Sequence, residues 1–299
     1  MVFFAVWVYV FSACSAGKEH NPLSGLFPEE PDTAHIKEMI NFLEENQTDS
    51  IINLPKEDSI RRPYGIFPVI QPKDDMRKKV LDGVYLPRLD ARYVDFRGSV
   101  FRSAKCFDGD FSYADFRAAD VRWTNFDNSA MQHCNFSQSK LFHVHVNHSD
   151  LSFSNFEGAN MFGMEGHHAV LRKCNFTGAL MKDVEFLKAD FTGSVLVKTK
   201  LFRAVLKGAK LDSCDLSYSD FTGAGMEKAS FVHSRLWNVN MQGAHLQGAD
   251  FTGADLQGVN FYGANFDKTV FKDAFNLPDF VKENLDENGM LSVNTQKNQ

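Results

Sequence analysis

Residues 249–266 read ADFTGADLQGVNFYGANF. Cut into fives, each unit offers a small residue, then Asp or Asn, then a large apolar residue, then two more. A period of five matches neither the 3.6-residue α-helix nor the two-residue strand. It suits a chain that turns a corner every five residues and points one large and one small side chain inward. Outward from this stretch the same grid runs in one register from Phe96 to Phe271, which makes 36 units. Only Cys106 and Gly166 depart from Leu, Phe, Met or Val at the large position. Two places earlier the residue is Ala, Ser, Thr, Cys, Val or Gly in 35 of 36 units, Met164 being the exception. Asp or Asn precedes the large residue in 18 of 36. With no insertion across the array, chance does not explain the pattern. Stacked coils bury both inward positions and satisfy backbone polar groups between coils.

The units Ala-Asp-Phe at 114–116, Ala-Asn-Met at 159–161, Ala-Asp-Leu at 254–256 and Ala-Asn-Phe at 264–266 resemble the pentapeptide-repeat family, whose consensus is Ala-(Asp/Asn)-Leu-X-X. The resemblance implies an all-β solenoid: a right-handed quadrilateral β-helix with four units to a coil. Here that gives about nine coils, with short helical caps at the N- and C-terminal ends. Residues twenty apart then sit above one another. Members of the family do unrelated jobs, so the fold does not name the function.

The organisation expected from this reading has four parts. Residues 1–17 form a signal peptide or membrane-anchor segment, because 2–13 are uncharged and apolar. Phe11-Ser12-Ala13-Cys14 resembles a bacterial lipobox, with Cys14 as the lipidated residue. Residues 18–91 supply a linker and the N-terminal cap. That cap includes an amphipathic helix at roughly 33–46 and a short helix from Asp74 to Leu81. Four prolines at 55, 63, 68 and 72 keep the intervening chain extended. Residues 92–273 are the β-helix. Residues 274–299 close it with a helix from Pro278 to Leu285, followed by a polar tail. The expected location is exported, membrane-associated or in the cell envelope, with the cytoplasm as alternative.

Composition excludes several classes. Hydrophobic residues make up 43% of the 299 and charged residues 23%, which rules out a fully disordered chain and a multi-span membrane protein. The net charge of −6 is no nucleic-acid footprint, so no nucleic-acid partner is expected. No P-loop, Rossmann fingerprint, CxxC or Ser-His-Asp order is present, so the reading is of a non-enzyme without cofactor. Cys134, Cys174 and Cys214 recur every 40 residues at the small inward position, two coils apart in one column, too far for disulfides. Five outward histidines, His143, His145, His148, His167 and His168, follow from the coil spacing rather than from a metal motif, and no metal site is assigned. The unit around Glu165-Gly166-His167-His168 is expected to form a bulge or small loop.

Charge is zoned along the array. Within 92–273 there are 20 Lys+Arg and 20 Asp+Glu. Residues 172–210 hold nine basic and three acidic residues, while 108–165 hold three basic and eight acidic. In the family resemblance, one known role is mimicry of DNA toward gyrase or topoisomerase, which needs a predominantly acidic rod. A neutral rod with a basic belt makes that the alternative. The first reading is a rigid protein-binding scaffold. Twenty-residue stacking puts Trp123, Phe142, Phe162 and Phe202 on one face with Lys182, Lys200 and Arg203 beside them, and these seven are the candidate contact residues. The expected partner is another protein, with pairing to a second copy as a further option and membrane anchorage through the N-terminus.

Overall fold

The computed structural model describes residues 59–62 and 65–291. The apolar segment 1–17 with Cys14 and the helix expected at 33–46 lie outside the described residues. Strands β1 (Ser59–Arg62) and β2 (Gly65–Pro68) pair antiparallel, with Ser59 opposite Pro68. From residue 71 to 275 the chain then repeats one five-residue conformation without interruption. Position 75 bridges 95 in parallel, 80 bridges 100, and so on to 255 with 275. Twenty residues therefore make one turn of a quadrilateral β-helix, and the span 71–275 makes about ten coils. The expectation of nine coils starting at 92 fell short at the N-terminal end. Residues 74–81, expected as a helix, form coil units instead. Met76, Leu81 and Leu86 stand on the five-residue grid and are buried. Asp74 and Lys79 at the small position, and Ala91 at a large one, hide that grid from inspection.

The repeat follows from where its five N–H groups go. In the unit around Phe116, Phe116 N donates to Asn135 O (2.7 Å) and Ala118 N to Ser137 O (3.1 Å). Asp115 N donates to Val94 O (3.0 Å), in the preceding coil. Ala119 N closes the turn on Phe116 O (3.0 Å). The fifth, Arg117 N, is taken by the Asp115 carboxylate (3.1 Å). Asn135, Asn155, Asn175, Asp190 and Asp250 do the same for the residue two ahead. This explains Asp and Asn before the large residue: a short side-chain acceptor completes the backbone accounting. The third residue of each turn has φ near +60°, as at Gly163 and Gly178, which is why Gly recurs there.

Large residues stack in columns through the core. Phe96, Phe116, Phe136, Phe156 and Phe176 form one pile, with successive rings 4.7, 4.8, 5.2 and 4.9 Å apart and within 14° of parallel. These separations are the strand spacing of about 4.8 Å. Small polar residues fill the corners. The Ser154 hydroxyl accepts from Cys134 N (2.9 Å) and donates to Met131 O (2.9 Å), and Ser194 repeats this with Cys174 N and Leu171 O. The thiols of Cys134, Cys174 and Cys214 are free, buried, and donate to the carbonyls of Phe111, Leu151 and Phe191. Burial raises all of them, to about 12 for Cys174 and Cys214.

No bulge forms at 165–168. Val170 still bridges Asp150, and Glu165 still bridges His145. The missing side chain at Gly166 is replaced by the Phe186 ring from the next coil; a methyl on Gly166 would fall 2.1 Å from Phe186 Cε1. At the C-terminal end, helix α1 is only Asp279–Lys282, shorter than the expected 278–285. Closure comes instead from β3 (Thr269–Val270) pairing antiparallel with β4 (Met290–Leu291). Val281 and Leu291 are fully buried against the last coil. The chain from 286 to 291 is thus ordered by this return, and Asp286 accepts from Asn288 N and Met290 N (both 2.9 Å).

Candidate functional site

Each flat side of the coil offers three outward positions: the bridging residue and the two turn residues. On one side the turn residues run Arg122-Trp123, Phe142-His143, Phe162-Gly163, Lys182-Asp183 and Phe202-Arg203. Backbone bonds fix each pair on the next: Trp123 N to Phe142 O (2.8 Å), His143 N to Phe162 O (3.0 Å), Gly163 N to Lys182 O (3.1 Å) and Asp183 N to Phe202 O (3.0 Å). The stack places all seven predicted residues on this one face.

Contacts then divide them. Trp123 is 48% exposed, at a turn whose φ is +59°. Arg122 lies over its ring at 5.2 Å while bonded through both guanidinium arms to Asp120 (2.7 Å each). Phe142 and Phe162 are half-buried, less open than the sequence reading assumed, because they tilt onto each other at 6.0 Å. His143 meets the Phe162 ring edge-on at 5.5 Å, and Lys182 Nζ sits 5.9 Å from the same ring. Cations held over aromatic faces are attracted by the ring quadrupole. These residues line one strip of the face from coil 120 to coil 180, within which Phe142, His143, Phe162 and Lys182 are joined by ring contacts. Phe202 and Lys200 share the face but not the strip. Arg203 is locked to Asp183 by two bonds of 2.7 and 2.6 Å. That guanidinium holds the Asp183 carboxyl below its ordinary range.

A second aromatic row went unnoticed in the sequence. Tyr93, Tyr113, His133 and Phe153 stack at 4.8, 4.6 and 4.9 Å, within 8° of parallel, and Lys173 covers the end at 5.7 Å. Tyr93, Tyr113 and Phe153 are about half exposed. Reading every twentieth residue from Tyr93 would have found it. Because the rings stack along the axis, the row shows edges rather than faces to the outside. That favours it as self-supporting cover over a contact surface.

The histidines separate. His143 lies on the aromatic face; His145, His148, His167 and His168 lie on the next. His145 Nδ1 is 3.2 Å from Glu165 Oε2, and His148 stacks on His168 at 5.1 Å. Two parallel imidazoles that far apart cannot both reach one ion at about 2.1 Å. Among the described residues, no group of three His, Cys, Asp or Glu side chains is placed to hold a metal. At the N-terminal coils, Arg77, Arg97 and Arg117 each clasp an Asp of their own unit at 2.6 Å, and Arg77 and Arg97 also lie within 4 Å of the next coil's Asp.

The family model for pentapeptide repeats matches eight copies, over residues 104–144, 167–196, 199–238 and 237–273. No curated protein matches. Among solved structures, the chain is similar to HetL, a pentapeptide repeat protein involved in heterocyst differentiation regulation in the cyanobacterium Nostoc. The identity is 22%, over 63% of this chain and 87% of HetL, with a TM-score of 0.36. It is also similar to full-length QnrB1, a plasmid-mediated fluoroquinolone resistance protein, at 18% identity over 62% and 92% of the two chains, with a TM-score of 0.39.

Proposed function

Because the chain belongs to the pentapeptide-repeat family and builds its right-handed quadrilateral β-helix, we propose that it is a non-catalytic scaffold that binds another protein through the Trp123–Phe162 strip. One observation carries this. Phe142 and Phe162 tilt onto each other in the middle of one rigid face, with Arg122 over Trp123 at one end and Lys182 over Phe162 at the other, and inter-coil backbone bonds hold every coil in place. Aromatic and Arg anchors held in place lose little entropy when a partner covers them. Lys182 and the Arg122–Asp120 pair flank the rings and give the contact polarity and register.

A DNA-mimic role at gyrase or topoisomerase needs an acidic surface over most of the length. Residues 191–210 instead carry five cations and no Asp or Glu. The reading further places the scaffold at a membrane, on the strength of the apolar run 2–13 and Cys14. Among the described residues no helix is long and apolar enough to cross one. Mass spectrometry of the mature N-terminus tests this: lipid on Cys14 or removal of 1–13 supports it, and an intact Met1 on an unanchored protein ends it.

The scaffold reading is tested by capture with the native protein and with a Phe142→Asp/Phe162→Asp variant, each checked for β-rich circular dichroism. Loss of the captured proteins in the variant is expected. Recovery of the same set by both moves the contact to another face.

A further inference from the structure

The face that carries Phe202 changes charge sign between two adjacent coils. Residues 191–210 hold Lys198, Lys200, Arg203, Lys207 and Lys210 and no acid; residues 211–230 hold Asp212, Asp215, Asp220 and Glu227 against Lys228 alone. On this face the step runs from Lys200 and Arg203 to Asp220. Lys200 and Asp220 bridge each other through the backbone. The ion pairs of the region, however, join Arg203 to Asp183 and Arg235 to Asp215, and leave both of them out. The hydrogen bonds to the Asp220 carboxylate, from Thr222 N, Thr222 Oγ1 and Asn240 Nδ2, all end on Oδ1. Its Oδ2 takes none.

A positive coil beside a negative coil is self-complementary under a twofold axis that crosses the face between them. Such an axis reverses the order of coils and keeps each outward column in register. We propose that the protein pairs side by side and antiparallel with a second copy of itself through this face. The pairing rests on the reading of the face as a protein-contact surface and names an occupant for its C-terminal part. Lys200 then stands opposite the partner's Asp220, and Phe202 opposite the partner's Thr222. Arg203 stands opposite the partner's Gly223, Lys182 the partner's Gln242, and Phe162 the partner's Tyr262.

Shape agrees with charge. Phe202 is half-buried in its own coil, and the coils above it offer the smaller Thr222, Gly223 and Gly243 in the facing columns. Phe162 already has Lys182 beside it, and Tyr262 is 54% exposed. A parallel pairing in the same register would reverse the columns and set the basic coil of Lys200 and Arg203 against the same coil of the partner, and the Asp220 coil against its own, so that like charges face each other. The overlap between positions 160 and 263 covers six coils, about 29 Å at about 4.8 Å each, on one narrow side. That is less than the roughly 800 Å² per partner of a stable complex, so the dimer is weak and salt-sensitive. Trp123 falls beyond the overlap and stays open to another protein.

Sedimentation velocity of the full chain tests this over a concentration series at about 20 mM and about 500 mM salt. A dimer at low salt that dissociates at high salt is expected. Lys200→Glu and Asp220→Lys should each weaken it about tenfold, since every dimer contains the contact twice. The double variant exchanges the charges and should regain the native association. Orientation is read by oxidative cross-linking in a chain carrying Cys14→Ser: Lys182→Cys/Gln242→Cys should link into dimers and Lys182→Cys alone should not. A monomer at every concentration in low salt overturns the proposal. So does a double variant that stays weak, or linking by Lys182→Cys alone. If pairing fails while Phe142→Asp/Phe162→Asp still loses captured proteins, the scaffold reading stands and only the dimer falls.

Discussion

Replacing Phe176 with Ala tests whether the core is a rigid pile or a soft one. Phe176 is fully buried, stacked on Phe156 at 4.9 Å and tilted against Phe191 at 5.7 Å. Its backbone is pinned on both sides: Phe176 N donates to Val195 O (2.7 Å), and Phe176 O accepts from Ala179 N (2.8 Å) and Thr199 Oγ1 (3.1 Å). Coils tied at a fixed spacing cannot close over the space a ring leaves. The cost therefore belongs at the upper end of the range for Phe→Ala, about 4–5 kcal/mol, including the lost aromatic contacts. Equilibrium urea unfolding followed by circular dichroism measures it. With a slope of about 3 kcal/mol/M, the midpoint should fall by about 1.5 M. Phe142→Ala is the comparison: its ring is half-buried on the outer face, and the loss should stay within about 1 kcal/mol. The slope must be compared as well, because a repeat array can unzip from one end. A loss for Phe176→Ala under about 1.5 kcal/mol at unchanged slope would refute the argument that the ladder holds the cavity open.

Two further outcomes follow from the charges and thiols. The Asp90 and Asp95 carboxyls are lowered chiefly by their bonds to Arg92 and Arg97, so they bind protons more weakly folded than unfolded. Their contribution is present above the unfolded value of about 3.9 and lost as pH falls through the lower folded values. Hydrogen exchange, corrected for intrinsic rates, should show coils 75–117 opening below about pH 4. Arg97→Ala should open them already at neutral pH, and an unchanged acid response in that variant would exclude the pairs as the cause. Cys106, Cys134, Cys174 and Cys214, raised by burial, should resist a thiol reagent at pH 8 in the folded protein and react in guanidinium. Rapid reaction at any of these four sites in the folded form, located by peptide mapping, would show that the core opens locally.

Much of this molecule is legible from single residues because its contacts repeat. One large and one small position in five define the inside, and the twenty-residue coil converts sequence distance into spatial adjacency. Reading alone therefore reached the inward rows of large and small residues, the inward Cys134, Cys174 and Cys214, and the grouping of Trp123, Phe142, Phe162 and Phe202 on one face.

What escaped depends on contacts the grid does not encode. The first coils were missed because Asp74, Lys79 and Ala91 break the composition while the backbone bonds continue. Gly166 looked like a break because its partner, Phe186, lies a coil away and fills the gap from there. The C-terminal closure is a return strand twenty residues beyond the position it covers, which no local pattern announces. At the aromatic face, sequence spacing gave membership but not engagement. Whether Lys182 serves a ring, Arg203 serves Asp183, or Lys200 serves neither is settled by side-chain geometry. The physical reason is the same throughout: backbone stacking here is periodic and set by residue type at each position, whereas side-chain pairing depends on which neighbour occupies the adjacent coil.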